Sequence, residues 1–128
     1  MDPIARKLLI KPGNRVALID PPTGYAERLQ PLPDGAELVD LQPELDVLQV
    51  FVQDRAALDR VAPSLGSVRS GGILWVCYPK GGRKAGTDLN RDLLWEALGQ
   101  VGLTGVTLVS VDDTWSAMRF RPAAEVGV

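Results

Sequence analysis

Three cations set among glycines form the first candidate ligand-binding group in this sequence. Lys80, Arg83 and Lys84 lie in the segment 79–86, just before a helix that Thr87 is predicted to cap. Free backbone N–H groups at a helix start, together with cations, suit a phosphate or a carboxylate. The spacing of a P-loop, Gly-x-x-x-x-Gly-Lys-Ser/Thr, is absent. The pattern therefore favours the alternative, a solvated basic loop.

A second group combines two acids with an aromatic ring. Asp112, Asp113 and Trp115 fall in a turn between the last two predicted strands. Such a group can wall a pocket for a polar ligand, with Lys80 as a neighbour at the same sheet edge. The favoured alternative is a salt-bridged turn whose tryptophan covers a helix end. Exposed ion pairs of this kind are common and typically add less than about 1 kcal/mol.

The other aromatic residues of interest are Tyr25, Trp75 and Trp95. Tyr25 follows Gly24 after the first predicted strand, so it can stack on the base of a ligand or pack the helix that it begins. Trp75 lies inside an unbroken apolar run and is predicted to be part of the core. Trp95 lies away from the apolar face of its helix, which predicts a half-exposed side chain available for a partner contact.

Composition excludes several kinds of chemistry. The chain has no histidine and a single cysteine, Cys77, which is predicted to be buried and unreactive. Ser-His and Cys-His catalysis are thereby excluded, and no metal site is expected. A net charge of −2 gives no general attraction for nucleic acid or for a membrane. No apolar stretch is long enough to span a bilayer and no signal peptide is recognisable, so we expect a cytoplasmic protein.

Apolar runs of strand length alternate with segments of helical spacing, which predicts an α/β domain. The run after Ser70-Gly71-Gly72 is continuous, as in an interior strand of a parallel sheet, and the two glycines are expected to end the preceding helical segment. The last two predicted strands include alternating, charged positions, which indicates an antiparallel pair near a sheet edge. We predict one domain over residues 1–128, with 122–128 as a loose tail.

Several sequence motifs resemble the class I methyltransferase branch of Rossmann-like folds, in a shortened form. The similarity covers most of residues 7–121 and rests on the terminal hairpin and on Lys11-Pro12-Gly13, Leu45-Asp46-Val47 and Ser70-Gly71-Gly72-Ile73-Leu74. More narrowly, Gly-Tyr, Trp-Val-x-Tyr-Pro-Lys and Asp-x-Thr-Trp-Ser are similar to motifs of a small bacterial domain family of unknown function. The resemblance implies a three-layer fold with strand order second, first, third, fourth, sixth, fifth. The sixth strand should be antiparallel.

The first loop departs from the methyltransferase pattern. That family follows an acidic residue with a Gly-x-Gly run that approaches S-adenosylmethionine, whereas Asp20 is followed here by Pro21-Pro22. Proline fixes φ and has no N–H group. Asp40 matches the acid that binds ribose hydroxyls in such folds, but one strand and one or two helices after it are missing. We therefore expect no cofactor, with S-adenosylmethionine as a disfavoured alternative.

The sequence favours a non-catalytic or regulatory Rossmann-like module over an enzyme. One alternative is a binding domain for a small anion or nucleotide at the carboxyl edge of the sheet, and another is a reduced S-adenosylmethionine-dependent methyltransferase. Residues at predicted strand ends should converge on one concave surface that takes a small polar or anionic ligand. They are Thr23, Gly24, Tyr25, Asp40, Gln53, Lys80, Asp112 and Trp115. A homodimer through Trp95 or the terminal strand is a further hypothesis.

Overall fold

A computed structural model describes residues 4–125, which form a six-stranded sheet with helices on both faces. The α-helices are α1 (Ile4–Lys7), α2 (Tyr25–Arg28), α3 (Arg55–Val61) and α4 (Arg91–Gly99). The strands are β1 (Arg15–Ile19), β2 (Glu37–Leu38), β3 (Leu45–Phe51), β4 (Val68–Pro79), β5 (Leu103–Ser110) and β6 (Trp115–Pro122). Short 3₁₀ helices span Ala62–Ser67, Gly82–Ala85 and Ala123–Glu125. In residues 4–125, no helix combines the length and apolarity needed to cross a bilayer.

The sheet has the strand order β2-β1-β3-β4-β6-β5. β6 runs antiparallel to both of its neighbours, and the remaining pairs are parallel. The predicted three-layer α/β fold, strand order and antiparallel last strand are confirmed. β2 pairs with one edge of β1, and β3, which comes later in the chain, pairs with the opposite edge. A crevice at the carboxyl ends of β1 and β3 is therefore expected, because open α/β sheets bind ligands where the strand order reverses.

Alternate residues of the strands contribute their side chains to two hydrophobic cores, one on each face of the sheet. Side chains of α3 and α4 pack on one face with Leu74, Val76, Met118 and Phe120. The other face is covered by residues of α1 and α2 and contains Trp75 and Cys77. The buried Trp75 donates its Nε1–H to the carbonyl oxygen of Leu8 at 2.9 Å, which ties the segment after α1 to the middle of the sheet. The predictions of a core Trp75 and a buried Cys77 are confirmed.

The prediction that Gly71 and Gly72 end a helix is wrong, because both residues lie inside β4. The register between β3 and β4 shifts there, and Gly71 has a φ of 78°. A Cβ atom at Gly72 would lie 2.5 Å from Val68 Cγ1 and 3.0 Å from the Asp46 carbonyl oxygen. Glycine is therefore required because the irregular strand brings its neighbours too close for a side chain.

The last predicted helix begins later than expected. Asn90, not Thr87, caps α4, since its Oδ1 accepts a hydrogen bond from the Leu93 N–H at 2.9 Å. Thr87 is buried and donates its hydroxyl hydrogen to the carbonyl oxygen of Gln53. Part of the predicted loose tail is structured, because Pro122 belongs to β6 and 123–125 form a 3₁₀ helix. Residues 126–128 lie outside the described part of the chain.

Candidate functional site

Two adjoining clefts lie along the carboxyl edge of the sheet. The first, here called the switch-point cleft, has a volume of about 460 Å³ and is bordered by Asp20, Pro21, Pro22, Thr23, Phe51, Gln53, Asp54, Ala57, Arg60 and Trp115. The second, the Lys80 cleft, has a volume of about 410 Å³ and is bordered by Gln53, Asp54, Pro79, Lys80, Ala85, Gly86, Asp113, Thr114 and Trp115. Both volumes fall within the roughly 300–1,000 Å³ of small-molecule sites. The two clefts share Gln53, Asp54 and Trp115, so ligands in them would be neighbours.

The switch-point cleft carries charges of both signs. Asp20 directly follows β1 and has a φ of 54°, in the left-handed region, which Asp tolerates better than most residues. Asp54 follows β3 closely and caps α3, because its Oδ1 accepts a hydrogen bond from the Ala57 N–H at 2.8 Å. Arg60 lies on the same helix and also borders the cleft. The cleft thus offers two carboxylates and one guanidinium group.

Trp115 forms the wall between the two clefts. Its side chain is 8% exposed and packs edge-to-face on Phe51, with ring centroids 5.1 Å apart. Phe51 in turn packs edge-to-face on Tyr25 at 4.8 Å. The wall is therefore anchored in the hydrophobic core.

Asp112 holds the turn that presents Trp115. Its Oδ1 accepts hydrogen bonds from the N–H groups of Thr114 and Trp115, both at 2.8 Å, and its Oδ2 pairs with Arg28 Nη1 at 3.0 Å. Burial acts to raise the pKa of Asp112, but the bonds from Trp115, Thr114 and Arg28 together hold the pKa below its ordinary value. The structure thus agrees with the alternative of a salt-bridged turn, although the cation is Arg28 and not Lys80.

Lys80 stands at the mouth of the second cleft. Its Nζ donates to Ser110 Oγ at 2.6 Å, and its backbone N–H donates to the Thr114 carbonyl oxygen at 2.8 Å. In residues 4–125, the ion pairs involve other cations and leave Lys80 without a carboxylate partner. The ammonium group therefore keeps capacity to bind an anionic group of a ligand.

Tyr25 belongs to the core. Its side chain is 1% exposed, and its hydroxyl donates to Gln49 Oε1 at 2.9 Å. The Gln49 Nε2 group donates in turn to Cys77 Sγ at 3.2 Å. Burial raises the pKa of the Tyr25 phenol and raises the pKa of the Cys77 thiol to about 12. The helix-packing alternative fits this burial, whereas a ring without exposed surface offers no face for stacking on a ligand.

The eight residues expected to converge divide into three groups. Thr23, Gln53, Lys80 and Trp115 border the two clefts. Gly24 and Asp40 are exposed and border neither. The remaining two, Tyr25 and Asp112, support the edge from within, as described above.

Sequence reasoning missed Asp54 and Arg60 as cleft residues. The available signal was the position of Asp54, which comes shortly after a strand and directly before a helix. A capping residue in that position lies at the carboxyl edge of a parallel sheet. Over the described part of the chain, no group of three acidic or cysteine side chains is placed to hold a metal ion.

The chain is similar in fold to several solved methyltransferase structures. It superposes on a ribosomal protein L11 methylase from Lactobacillus delbrueckii subsp. bulgaricus with a TM-score of 0.62 and 10% identity, covering 93% of this chain and 74% of that one. For a SAM-dependent methyltransferase from Aquifex aeolicus the TM-score is 0.61 at 11% identity, and the superposition covers 91% of this chain and 88% of that one. For the DhpI-SAM-HEP complex the TM-score is 0.61 at 15% identity, and the superposition covers 94% of this chain and 85% of that one.

No protein-family model matches the chain, and no curated protein matches it in sequence. At identities of 10% to 15% the structural likeness establishes the fold alone. The methyltransferase-like Rossmann fold implied by the resemblance is thereby confirmed.

Proposed function

We propose that this chain is a reduced S-adenosylmethionine-dependent methyltransferase whose donor site is the switch-point cleft. The charge pattern of that cleft carries the proposal. S-adenosylmethionine bears a sulfonium and an ammonium cation together with a carboxylate, and the cleft presents Asp20, Asp54 and Arg60. The fold neighbours support this alternative more than the non-catalytic module that the sequence favoured, since they include methyltransferases and a complex with SAM.

The residues present fit the charges of S-adenosylmethionine and replace the usual backbone donors with side chains. Pro21 and Pro22 have no N–H groups, so the backbone cannot donate to a ligand at these two positions. Thr23 and Gln53 are exposed in the same cleft and offer a hydroxyl and an amide instead. When bound, S-adenosylmethionine supplies an electrophilic methyl group.

The Lys80 cleft is the proposed place of the methyl acceptor. It shares the wall of Gln53, Asp54 and Trp115 with the donor cleft, so an acceptor there lies next to the donor. Lys80 can bind a polar or anionic group of the acceptor and so orient it. Trp115 is largely buried and borders both clefts, so its ring provides an apolar boundary between donor and acceptor.

Calorimetric titration with S-adenosylmethionine and with its demethylated product tests the donor site. We expect both to bind with a dissociation constant in the micromolar range. Arg60→Ala should weaken binding about tenfold or more, because a charge-assisted hydrogen bond contributes about 1.5–3 kcal/mol. Arg55→Ala is the matched control, since Arg55 lies on the same helix but borders neither cleft and pairs with Asp59. Absence of heat with both ligands at millimolar concentration would refute the donor site.

A second candidate is a non-catalytic domain that binds a small anion or nucleotide in the Lys80 cleft. The observation that favours it is the ammonium group of Lys80, which lies at the cleft without a carboxylate partner among residues 4–125. A nucleotide that binds the wild type but not Lys80→Ala, in a protein that gives no heat with S-adenosylmethionine, would establish this candidate in place of the first.

A further inference from the structure

Exposed large hydrophobic side chains are concentrated on two neighbouring elements of the structure. Five of the seven in residues 4–125 lie on α4, on β5 or in the turn that joins them. They are Leu93, Trp95, Val101, Val106 and Leu108, whereas Leu9 and Leu41 stand apart on other segments. Leu93 lies on the flank of α4 opposite to Trp95, because two residues of helix turn through about 200°. Trp95, Val106 and Leu108 border a common hollow. Single exposed apolar residues are ordinary, but a group on two adjacent elements marks an interaction surface.

β5 is an edge strand that lacks most of the usual protection against pairing. Edge strands normally avoid unwanted pairing by being short or by carrying charges or proline. The opposite edge, β2, follows this rule, with two residues and an exposed Glu37. β5 has eight residues, Leu-Thr-Gly-Val-Thr-Leu-Val-Ser, with neither a charge nor a proline. Apart from a bulge, this edge is therefore open to a covering partner.

The cover must contact side chains more than backbone. Gly105 pairs with Phe120 and Thr107 with Arg119, so Val106 is the extra residue of a bulge and has no partner on β6. A bulge interrupts the regular row of outer hydrogen-bonding groups, which disfavours the addition of another strand. What remains available is the apolar surface formed by Trp95, Val106 and Leu108, here called the α4–β5 surface.

Trp95 is fixed in position on this surface. Its side chain is 44% exposed, and its ring rests against Gly105, where a Cβ atom would lie 3.3 Å from Trp95 Cε3 and 2.8 Å from Met118 Sδ. Beside the indole lies a hollow of about 150 Å³, bordered also by Leu108 and Met118. That volume is below the roughly 300–1,000 Å³ of small-molecule sites, so the hollow suits a side chain and not a cofactor.

We propose that the α4–β5 surface is the interface of a two-fold symmetric homodimer. An isologous interface needs a projection and a recess side by side on the same patch, and this patch has both. In the dimer, Leu108 of each copy, which is more exposed than Val106, enters the hollow beside the other copy's indole. The interface leaves the switch-point and Lys80 clefts free, since it shares no residue with them.

Charge favours a second copy over an unrelated partner. Arg91 borders the hollow at the first residue of α4, and its exposed side chain forms a solvent-accessible ion pair with Asp92, Nε to Oδ1 3.6 Å. Such exposed pairs are weak, so the guanidinium group can still contact a partner. Gly99 ends the helix with open space above its Cα. A two-fold axis near Trp95 sets the two α4 helices antiparallel, so that each Arg91 lies toward the other copy's helix end. A helix C-terminus carries partial negative charge, which attracts the guanidinium group. α4 and β5 supply nine and eight residues, which is fewer than the roughly 20–30 on each side of a standard interface. The dimer should therefore be weak and dissociate at low protein concentration.

Sedimentation equilibrium from micromolar to near-millimolar concentration tests this proposal. The wild type should pass from the 13.8 kDa monomer toward twice that mass. Leu108→Lys should raise the dimer dissociation constant at least tenfold, because the lysine charge would be buried in the partner's hollow. Leu41→Lys is the matched control, since both leucines are 47% exposed and Leu41 lies off the surface. Far-UV circular dichroism confirms that the variants fold.

Two outcomes would overturn the proposal. A wild type that stays monomeric over the whole range would refute the homodimer. A dimer that Leu108→Lys leaves intact, or that Leu41→Lys weakens equally, would place the interface elsewhere. Titration with S-adenosylmethionine should give the same affinity for Leu108→Lys and the wild type. The dimer can therefore fail without affecting the proposed donor site, and the reverse also holds.

Discussion

Replacing Tyr25 by phenylalanine separates a core role from a ligand-binding role. The change removes only the hydroxyl that donates to Gln49 Oε1 at 2.9 Å. Gln49 is buried in β3, so its Oε1 would lose a partner without gaining water. A buried acceptor left in this state costs its desolvation energy, about 1–3 kcal/mol. For a domain of this length, that corresponds to about 3–6 °C of melting temperature per kcal/mol.

The double variant Tyr25→Phe/Gln49→Met supplies the decisive comparison. It replaces both polar partners by apolar side chains of similar shape, which leaves no orphaned amide and can be nearly neutral. Stability should therefore recover part of what Tyr25→Phe loses, a non-additive result that a simple loss of packing would not give. Cys77 Sγ loses its donor in the double variant, but sulfur is a weak acceptor.

Urea denaturation followed by tryptophan fluorescence measures these free energies, and calorimetric titration measures ligand binding in parallel. Tyr25→Phe should unfold at lower urea concentration and bind S-adenosylmethionine as the wild type does. The reasoning is refuted if the variant keeps its unfolding midpoint but loses binding, because Tyr25 would then act on the ligand after all.

Three further predictions concern other parts of the molecule. Asp112→Ala should lower the free energy of unfolding by roughly 1–2 kcal/mol at neutral pH. Because the folded-state pKa of Asp112 is depressed, its contribution is complete above the unfolded pKa of about 3.9 and disappears as pH falls through the folded value. Urea denaturation at neutral pH and at a pH below the folded-state pKa should therefore show that the difference in unfolding free energy between variant and wild type shrinks in acid. A constant difference would count against the role of the carboxylate. Leu9→Gly should raise the melting temperature slightly. Leu9 has a φ of 63°, and this left-handed conformation costs a residue with a side chain about 1–2 kcal/mol, which glycine avoids. The loss of the apolar contacts of Leu9 offsets part of this gain in stability. Burial raises the pKa of the Cys77 thiol to about 12, so a chromogenic disulfide reagent should label it only in denaturant, and rapid labelling of the native protein would contradict that burial.

The architecture was predictable because it depends on patterns of many residues. The continuous apolar run of β4 can only be satisfied inside a sheet covered on both faces, and Met118 and Phe120 alternate with Arg119 along β6. A one-residue slip of β6 would place Arg119 where the buried Met118 lies, so the alternation strongly specifies the register of this strand.

Individual pairings were not predictable, because chemically equivalent candidates compete. Asp112 could have paired with Lys80, but Arg28 reaches it across 84 positions of sequence. Thr87 and Asn90 are both good caps three positions apart, and the sequence does not say which begins α4. For Tyr25 a signal did exist. Gln49 interrupts the apolar run of β3, and a buried amide requires a partner such as a nearby phenol.

The position of β6 determines when the sheet can be completed during synthesis. β6 is translated after both β4 and β5, yet it lies between them in the sheet. β5 leaves the ribosome before the strand with which it pairs, and one side of β4 stays open during the same interval. An uncharged strand of high β-propensity is thus exposed on the nascent chain until residue 122 has emerged. Chaperone capture and aggregation should therefore compete with folding during this interval of translation, before the molecule is finished.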